Sequence, residues 1–405
     1  MHIMRLDYRD TAIWALLAVI IGLIVGGLDA VFGRILLAVS SFRTDHFYYL
    51  IPFLALAGLA TVYIYQRLGK HASKGMGLVF SIGQQSDETI PRRLIPIAML
   101  TTWLTHLFGG SAGREGVAIQ IGASVANYLG DLAKVKNRHI MVMVGMAAGF
   151  SGLFQTPLAA TLFAVEVIVV GSIYYQAILP ALIASLVAAQ TSHFLGLEKF
   201  SYAVSKLPTL NLLIIMKLVV IGIAFGLTGF IFSWLLGKTK ARLGTLLPNP
   251  YLKIAVGSVI LSVLFVVFDQ GRYSGLGTNL IATTFSGGPI FAWDFIVKLL
   301  LTILTLSIGF QGGEVTPLFA IGATLGMVLG TLMGLPLTFV AALGYAAVFA
   351  AATNTFFAPI LIGCEVFGFS LLPYLFITIS VSYALNFNHS IYTAQKIRQM
   401  QKLDH

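Results

Sequence analysis

The sequence predicts an all-α protein that crosses a membrane many times and is built from two related halves. Three observations carry this reading. Hydrophobic residues make up 58% of the 405-residue chain and charged residues only 10%, whereas a soluble chain carries roughly 25% charged residues to face water. Apolar runs recur along the whole length, at 11–28, 50–65, 140–153, 212–236, 254–268 and 295–308. Several approach or exceed the roughly 20 residues that cross about 30 Å of hydrocarbon, and the short alternating segments of an outer-membrane barrel are missing. Third, segment 109–130 lies over segment 309–330 without a gap. Gly109, Gly113, Ile121, Gly122, Ala123, Leu129 and Gly130 each meet an identical residue 200 positions later.

In chain order, the run at 11–28 reads as the first membrane helix. It is too long for a secretory signal, lacks a clear small-residue cleavage site and is followed by more spans. Basic residues cluster at 67–74, 92–93, 134–138, 238–242 and 396–402, read as short polar gaps, within a net charge of +10. In a soluble protein that excess would suggest nucleic acid; here it fits the Lys and Arg enrichment of cytoplasmic loops, so no nucleic-acid partner is expected. The lone cysteine, Cys364, excludes an internal disulfide and any CxxC metal or redox motif. No metal and no cofactor are expected. The chain has 41 glycines and 13 prolines, many inside apolar segments. Broken helices of this kind are tolerated in a membrane where they line a cavity or are buried in protein, and transporters place binding sites at them. One transmembrane domain over 1–405 is expected, with repeats at about 11–205 and 206–396 and no appended soluble domain.

A charge within an apolar span costs at least about 2.5–3.5 kcal/mol, so acids there are candidates for function. Those weighed are Glu115 in SAGREGVAIQ, Glu314 in GGEVTP, Glu166 in FAVEVIV and Glu365 in GCEVFG. Gly113 and Gly116 flank Glu115 and let the chain turn sharply as a helix begins. The first helical turn has unpaired N–H groups and a partial positive charge, which favour an anion. A carboxylate there can fill an anion site and give it up on protonation. Arg114 is expected to pair with a neighbouring acid or carbonyl. The second copy offers another helix start at Gly313, Glu314, Val315 and Thr316, and Gly75, Met76 and Gly77 suggest a third. Three such N-termini can bind a desolvated anion without a full positive charge, and still release it.

These residues resemble the CLC family of chloride channels and anion/proton exchangers. GREGV resembles that family's GREGP, GMGLV stands at its GSGIP and GGEVTP at its GxFxP; Tyr392 in SIYTAQ matches its late tyrosine. The resemblance runs from about residue 11 to 396. It implies a CLC-type fold of two inverted repeats with many tilted and broken helices, assembled as a homodimer in the cell membrane with both termini cytoplasmic. Met76 in place of serine, Val117 in place of proline, and Glu314, Val315 and Thr316 resemble the family's fluoride-exporting clade. That implies a fluoride/proton antiporter, with a passive fluoride or chloride channel of the same fold as the alternative. In PLAATLFAVEV the second of the exchangers' paired glutamates is Val167, which leaves Glu115 to gate the anion and carry the proton. Glu166 and Glu365 then read as buried, hydrogen-bonded structural acids. The string Gly109–Ser111–Gly113 with His106 nearby also matches a hydrolase nucleophile elbow, which needs a strand–turn–helix setting; an all-helical chain lacks it, and no enzyme is expected.

Overall fold

A computed structural model describes residues 8–69 and 74–398. Among them are seventeen α-helices. The first half contains α1 (Tyr8–Asp45), α2 (Phe47–Leu50), α3 (Leu54–Ile64), α4 (Met76–Gly83), α5 (Leu94–Leu107), α6 (Glu115–Leu132), α7 (Arg138–Phe154), α8 (Pro157–Glu166) and α9 (Tyr175–Phe194). The second contains α10 (Leu212–Leu246), α11 (Pro250–Val267), α12 (Thr278–Ser286), α13 (Asp294–Ile308), α14 (Val315–Met333), α15 (Leu337–Thr353), α16 (Phe357–Phe367) and α17 (Leu372–Ala384). The order recurs with a near-constant offset: α5 and α13, α6 and α14, and α8 and α16 each start 200 residues apart.

Among the described residues six helical segments are long and apolar enough to cross a membrane, α1 and α10 among them. At 38 and 35 residues these two run about 57 and 52 Å, long enough to cross about 30 Å of hydrocarbon and extend past it. Their outer faces carry the apolar surface that lipid requires: Leu16 and Leu23 of α1 are exposed, as are Leu227 and Ile231 of α10. The shorter helices are broken spans. Left-handed residues Gln155 and Asn354 end α7 and α15 and turn the chain at once into α8 and α16. The Asn211 side chain starts α10 by accepting from the Ile214 N–H, and Asn249 caps α11 ahead of Pro250.

The centre of the molecule is two helix pairs, α6 with α7 and α14 with α15. Most of their residues are buried. A side chain on Gly122 would run into the Gly145 carbonyl, and one on Gly322 into the Gly344 carbonyl. Small residues at these crossings let the backbones approach closely, the packing that holds helices together in lipid. A two-residue parallel strand pair, Val169–Val170 with Lys396–Ile397, returns the end of the chain to the first half.

The basic stretch 238–242 was expected in a polar gap but lies inside α10. The helix continues past its apolar run, and its long basic side chains stand on the solvated end. Residues 1–7, 70–73 and 399–405 lie outside the described residues, and with them parts of the stretches 67–74 and 396–402 and the placement of both termini.

Candidate functional site

The two copies of the repeated segment meet at their glycines. The Gly113 N–H donates to the Gly313 carbonyl at 2.5 Å, and the Gly313 N–H to the Gly113 carbonyl at 2.9 Å. This antiparallel bridge joins two residues that the repeat makes equivalent, the arrangement a two-fold axis between the halves produces. The bridge sets the starts of α6 and α14 side by side. Glu115, the first residue of α6, is 1% exposed. Its carboxylate reaches across the bridge to the other helix: Oε1 accepts from the Val315 N–H, and Oε2 from the Thr316 hydroxyl at 2.9 Å and the Arg114 N–H at 2.9 Å. A β-carbon on Gly113 or Gly313 would collide with this carboxylate. That is the physical reason both positions lack a side chain.

The third expected helix start joins them. Gly75, at φ +49°, precedes α4, whose first residue is Met76. Met76 lies 3.9 Å from where a Gly116 β-carbon would stand, and Gly313 Cα lies 3.7 Å from the same point. A side chain on Gly77 would meet open space. Val117 is buried behind the start of α6. Tyr392 sits on non-helical chain held from several sides. Ile391 N–H donates to the Ala352 carbonyl, and the Gln84 amide to the Ala394 carbonyl at 2.6 Å. Its ring packs on Phe80 of α4 and Phe163 of α8, and Glu115 and Glu314 are the charges that face it.

Glu314 precedes α14 with its side chain mostly buried; Lys240 of α10 approaches it at 3.8 Å. An acceptor beside an anion route thus has a cation of its own. The pairing expected of Arg114 takes another form. Its backbone N–H serves Glu115, while the guanidinium lines a narrow cavity of about 60 Å³ shared with Thr156, Glu198 and Thr316. Among the described residues neither Nε nor Nη1 of Arg114 has a hydrogen-bond partner.

Glu166 and Glu365 are hydrogen-bonded as expected, though only partly buried. Glu166 at the end of α8 accepts from the N–H groups of Phe356, Phe357 and Ala358 at the start of α16. Glu365 near the end of α16 accepts from Leu158 and Ala159 at the start of α8, at 3.0 and 2.8 Å. Each helix caps the other.

Two charged residues at or near the site escaped the reading of the sequence, Asp29 and Lys298, and Lys240 was read only as part of a basic polar gap. Lys298 is fully buried and donates to Ser111 Oγ at 2.9 Å and to the Tyr273 and Gly275 carbonyls. It pins the glycine-rich loop ahead of Glu115 to the loop ahead of α12. A signal existed in FIVKLL, since the rule that singles out Glu115 applies equally to a lysine in an apolar run. Ser111 and His106 make no bond to each other. Ser111 Oγ lies 2.8 Å from Thr302 Oγ1, and the His106 ring bonds the Thr102 and Ala112 carbonyls.

A bundle of broken membrane helices whose starts converge on a buried carboxylate defines an anion-transport protein. Residues 57–386 match the model of the voltage gated chloride channel family, and the chain belongs to that family, the CLC proteins. A "Chloride/fluoride channel protein" of Pseudomonas syringae pv. tomato is 34% identical over 95% of this chain and 86% of its own. The crystal structure of a CLC-type fluoride/proton antiporter superposes with a TM-score of 0.96 at 51% identity, covering 97% of this chain and all of that one. A slow cyanobacterial Cl⁻/H⁺ antiporter shares the fold, with a TM-score of 0.81 over 92% of this chain and 94% of its own at 20% identity.

Proposed function

We propose that this protein exports fluoride in exchange for protons, with Glu115 as both anion gate and proton carrier. The position of the Glu115 carboxylate carries the reading. Its oxygens take the Val315 and Arg114 N–H groups and the Thr316 hydroxyl, and so stand in for a small anion. Fluoride is strongly hydrated, and a site that selects it must replace its water with close donors. These groups are such donors, and the 51% identity to a fluoride/proton antiporter supports the same anion.

The cycle follows from charge. Ionised, Glu115 holds the donors and closes the path. A proton arriving from outside neutralises it, its acceptor strength falls, and the side chain swings clear. Fluoride from the cell interior then takes the freed donors. When Glu115 releases its proton inward and returns, it displaces the fluoride outward, so an inward proton gradient drives export. Met76 lines the path as an adaptable apolar wall, and the Tyr392 hydroxyl is a further donor at the inner end. Arg114 and Lys240 hold the surrounding potential positive against Glu314.

In the same reading the chain is one domain over 1–405, with repeats at about 11–205 and 206–396. Two copies assemble in the cell membrane, each with a complete pathway, and both termini face the cytoplasm.

The test is flux from liposomes loaded with fluoride or with chloride, with external pH and anion followed together. Export requires proton uptake that tracks fluoride efflux. Fluoride efflux with no proton uptake overturns the exchanger and leaves a channel; chloride moving as fast as fluoride overturns the selectivity.

A further inference from the structure

Arg43 stands where one apolar span ends, at Asp45, and the next begins, at Phe47. It is only 8% exposed. Among the described residues no carboxylate pairs with it. Its Nε has no hydrogen-bond partner, and Nη1 reaches the His106 carbonyl at a long 3.3 Å. Lys298 lies beside it in a similar condition. A β-carbon on Gly275 would run into Arg43 Nη1, and the Gly275 carbonyl accepts from Lys298 at 2.7 Å. The other Lys298 acceptors, Ser111 Oγ and the Tyr273 carbonyl, are neutral too. The nearby acids Asp269 and Asp294 are turned to Arg272, at 3.9 and 2.7 Å. Buried charges are normally paired, yet two cations here meet at one glycine with no anion between them. We propose that the cavity beside Arg43 binds a phosphate group, with the guanidinium as its main ligand.

Size and chemistry select the ligand. The cavity measures about 720 Å³, and Ser41, Thr44, Ser274, Thr278 and Asn279 line it together with Arg43. A lone halide would leave nearly all of that space to water, whereas a phosphorylated headgroup fills far more of it. A guanidinium presents paired N–H donors that match phosphate oxygens, and hydroxyls and an amide offer further donors. The opening also lies at a suitable depth. Tyr48 and Tyr49, just past the end of α1, are exposed, and such side chains gather at the level of lipid headgroups. An anionic lipid can thus bring its phosphate to Arg43 from the membrane, and free phosphate can reach it from water. The lining contains none of the donors to the Glu115 carboxylate, so the site is distinct from that one. The Gly275 N–H donates to the Gly110 carbonyl at 3.0 Å, which sets an occupant beside the loop that leads into Glu115.

The test is binding to the purified full chain in detergent, read as the rise in unfolding midpoint with ligand concentration. The probes are phosphatidylglycerol, phosphatidylcholine, inorganic phosphate and fluoride. Phosphatidylglycerol, inorganic phosphate or both should stabilise the wild type, and which of them does so names the source. Phosphatidylcholine, whose phosphate already has a cation of its own, should do so less. Arg43→Gln should weaken the apparent affinity at least about tenfold, the loss of a charge-assisted hydrogen bond. If that variant does not fold, Ser41→Asp takes its place: the position is exposed, and a carboxylate there repels the phosphate, with the same loss expected. The proposal is overturned if neither phosphatidylglycerol nor inorganic phosphate stabilises the wild type, or if their affinity is unchanged in the variant tested. Equal stabilisation by both lipids also overturns it. So does an effect of fluoride alone, which would make the cavity an outlet for a transported anion. None of these readings depends on transport, so failure here leaves the exchanger reading standing.

Discussion

Two pairs of repeat-related helices use carboxylates in opposite ways. At α8 and α16 the arrangement is reciprocal: Glu166 caps α16 and Glu365 caps α8, so every donor has a permanent partner. At α6 and α14 it is one-sided. Glu115 supplies the acceptor, and Val315, the equivalent position in the second copy, supplies only an N–H. One half brings a removable carboxylate and the other brings fixed donors. The same backbone symmetry gives a static brace in one place and an exchangeable site in the other; the difference is which residue stands at the helix start.

That contrast can be broken or sharpened by substitution, beginning with the largest effect. Glu115→Gln removes the carboxylate bonded to the α14 donors, and proton uptake should fall to background while fluoride still moves; persistent coupling in the liposome assay would place the carrier elsewhere. Gly313→Ala puts a methyl where the Glu115 carboxylate lies and 3.0 Å from the Gly116 nitrogen. Export should drop by more than about tenfold, a barrier of at least about 1.4 kcal/mol. Gly116→Ala, with its nearest neighbour at 3.7 Å, should keep most of the rate. Thr316→Val keeps the shape and loses the hydroxyl. Hydrogen bonds to charged groups contribute about 1.5–3 kcal/mol, so fluoride affinity measured by calorimetry should weaken at least about tenfold, with Thr316→Ser close to wild type.

Glu365→Ala tests the brace instead of the site. Loss of a helix cap costs about 1 kcal/mol, seen as a lower unfolding midpoint in detergent, and the proton-to-fluoride ratio should not change. The smallest effect belongs to Lys240→Met. The Lys240–Glu314 pair is long at 3.8 Å and the lysine is 42% exposed, which limits it to about 0–1 kcal/mol. Rates within a few-fold of wild type are expected, and a larger loss would mean that Glu314 needs its cation.

Much of the fold and the heart of the site were legible in the sequence, for physical reasons. Helix starts are written locally: glycines, in two of the three cases with an acid or hydroxyl, then an apolar run. Residues 75–77, 113–117 and 313–317 could therefore be found from spacing alone. The repeat made Gly113 and Gly313 equivalent before the structure joined them by hydrogen bonds. Lys240 was misplaced because the apolar run of α10 stops before the helix does, and hydropathy marks the run. Asp29 was missed for a different reason. An acid in LDAVFG gives no local sign of the face it occupies, and the face it takes is a buried one. Arg114 was half understood, since sequence could name its charge but not separate the work of its backbone from that of its side chain.

The bridge between Gly113 and Gly313 also constrains how the molecule comes into being. During synthesis the first half enters the membrane with Glu115 in place and none of the second half's donors yet made. The binding site is absent until a segment 200 residues later has been translated, inserted and docked against it. Loop closure over such a separation is slow, so the anion path is among the last features to form. A chain that ends before 313–316 therefore carries Glu115 but neither the Val315 N–H nor the Thr316 hydroxyl that its carboxylate bonds.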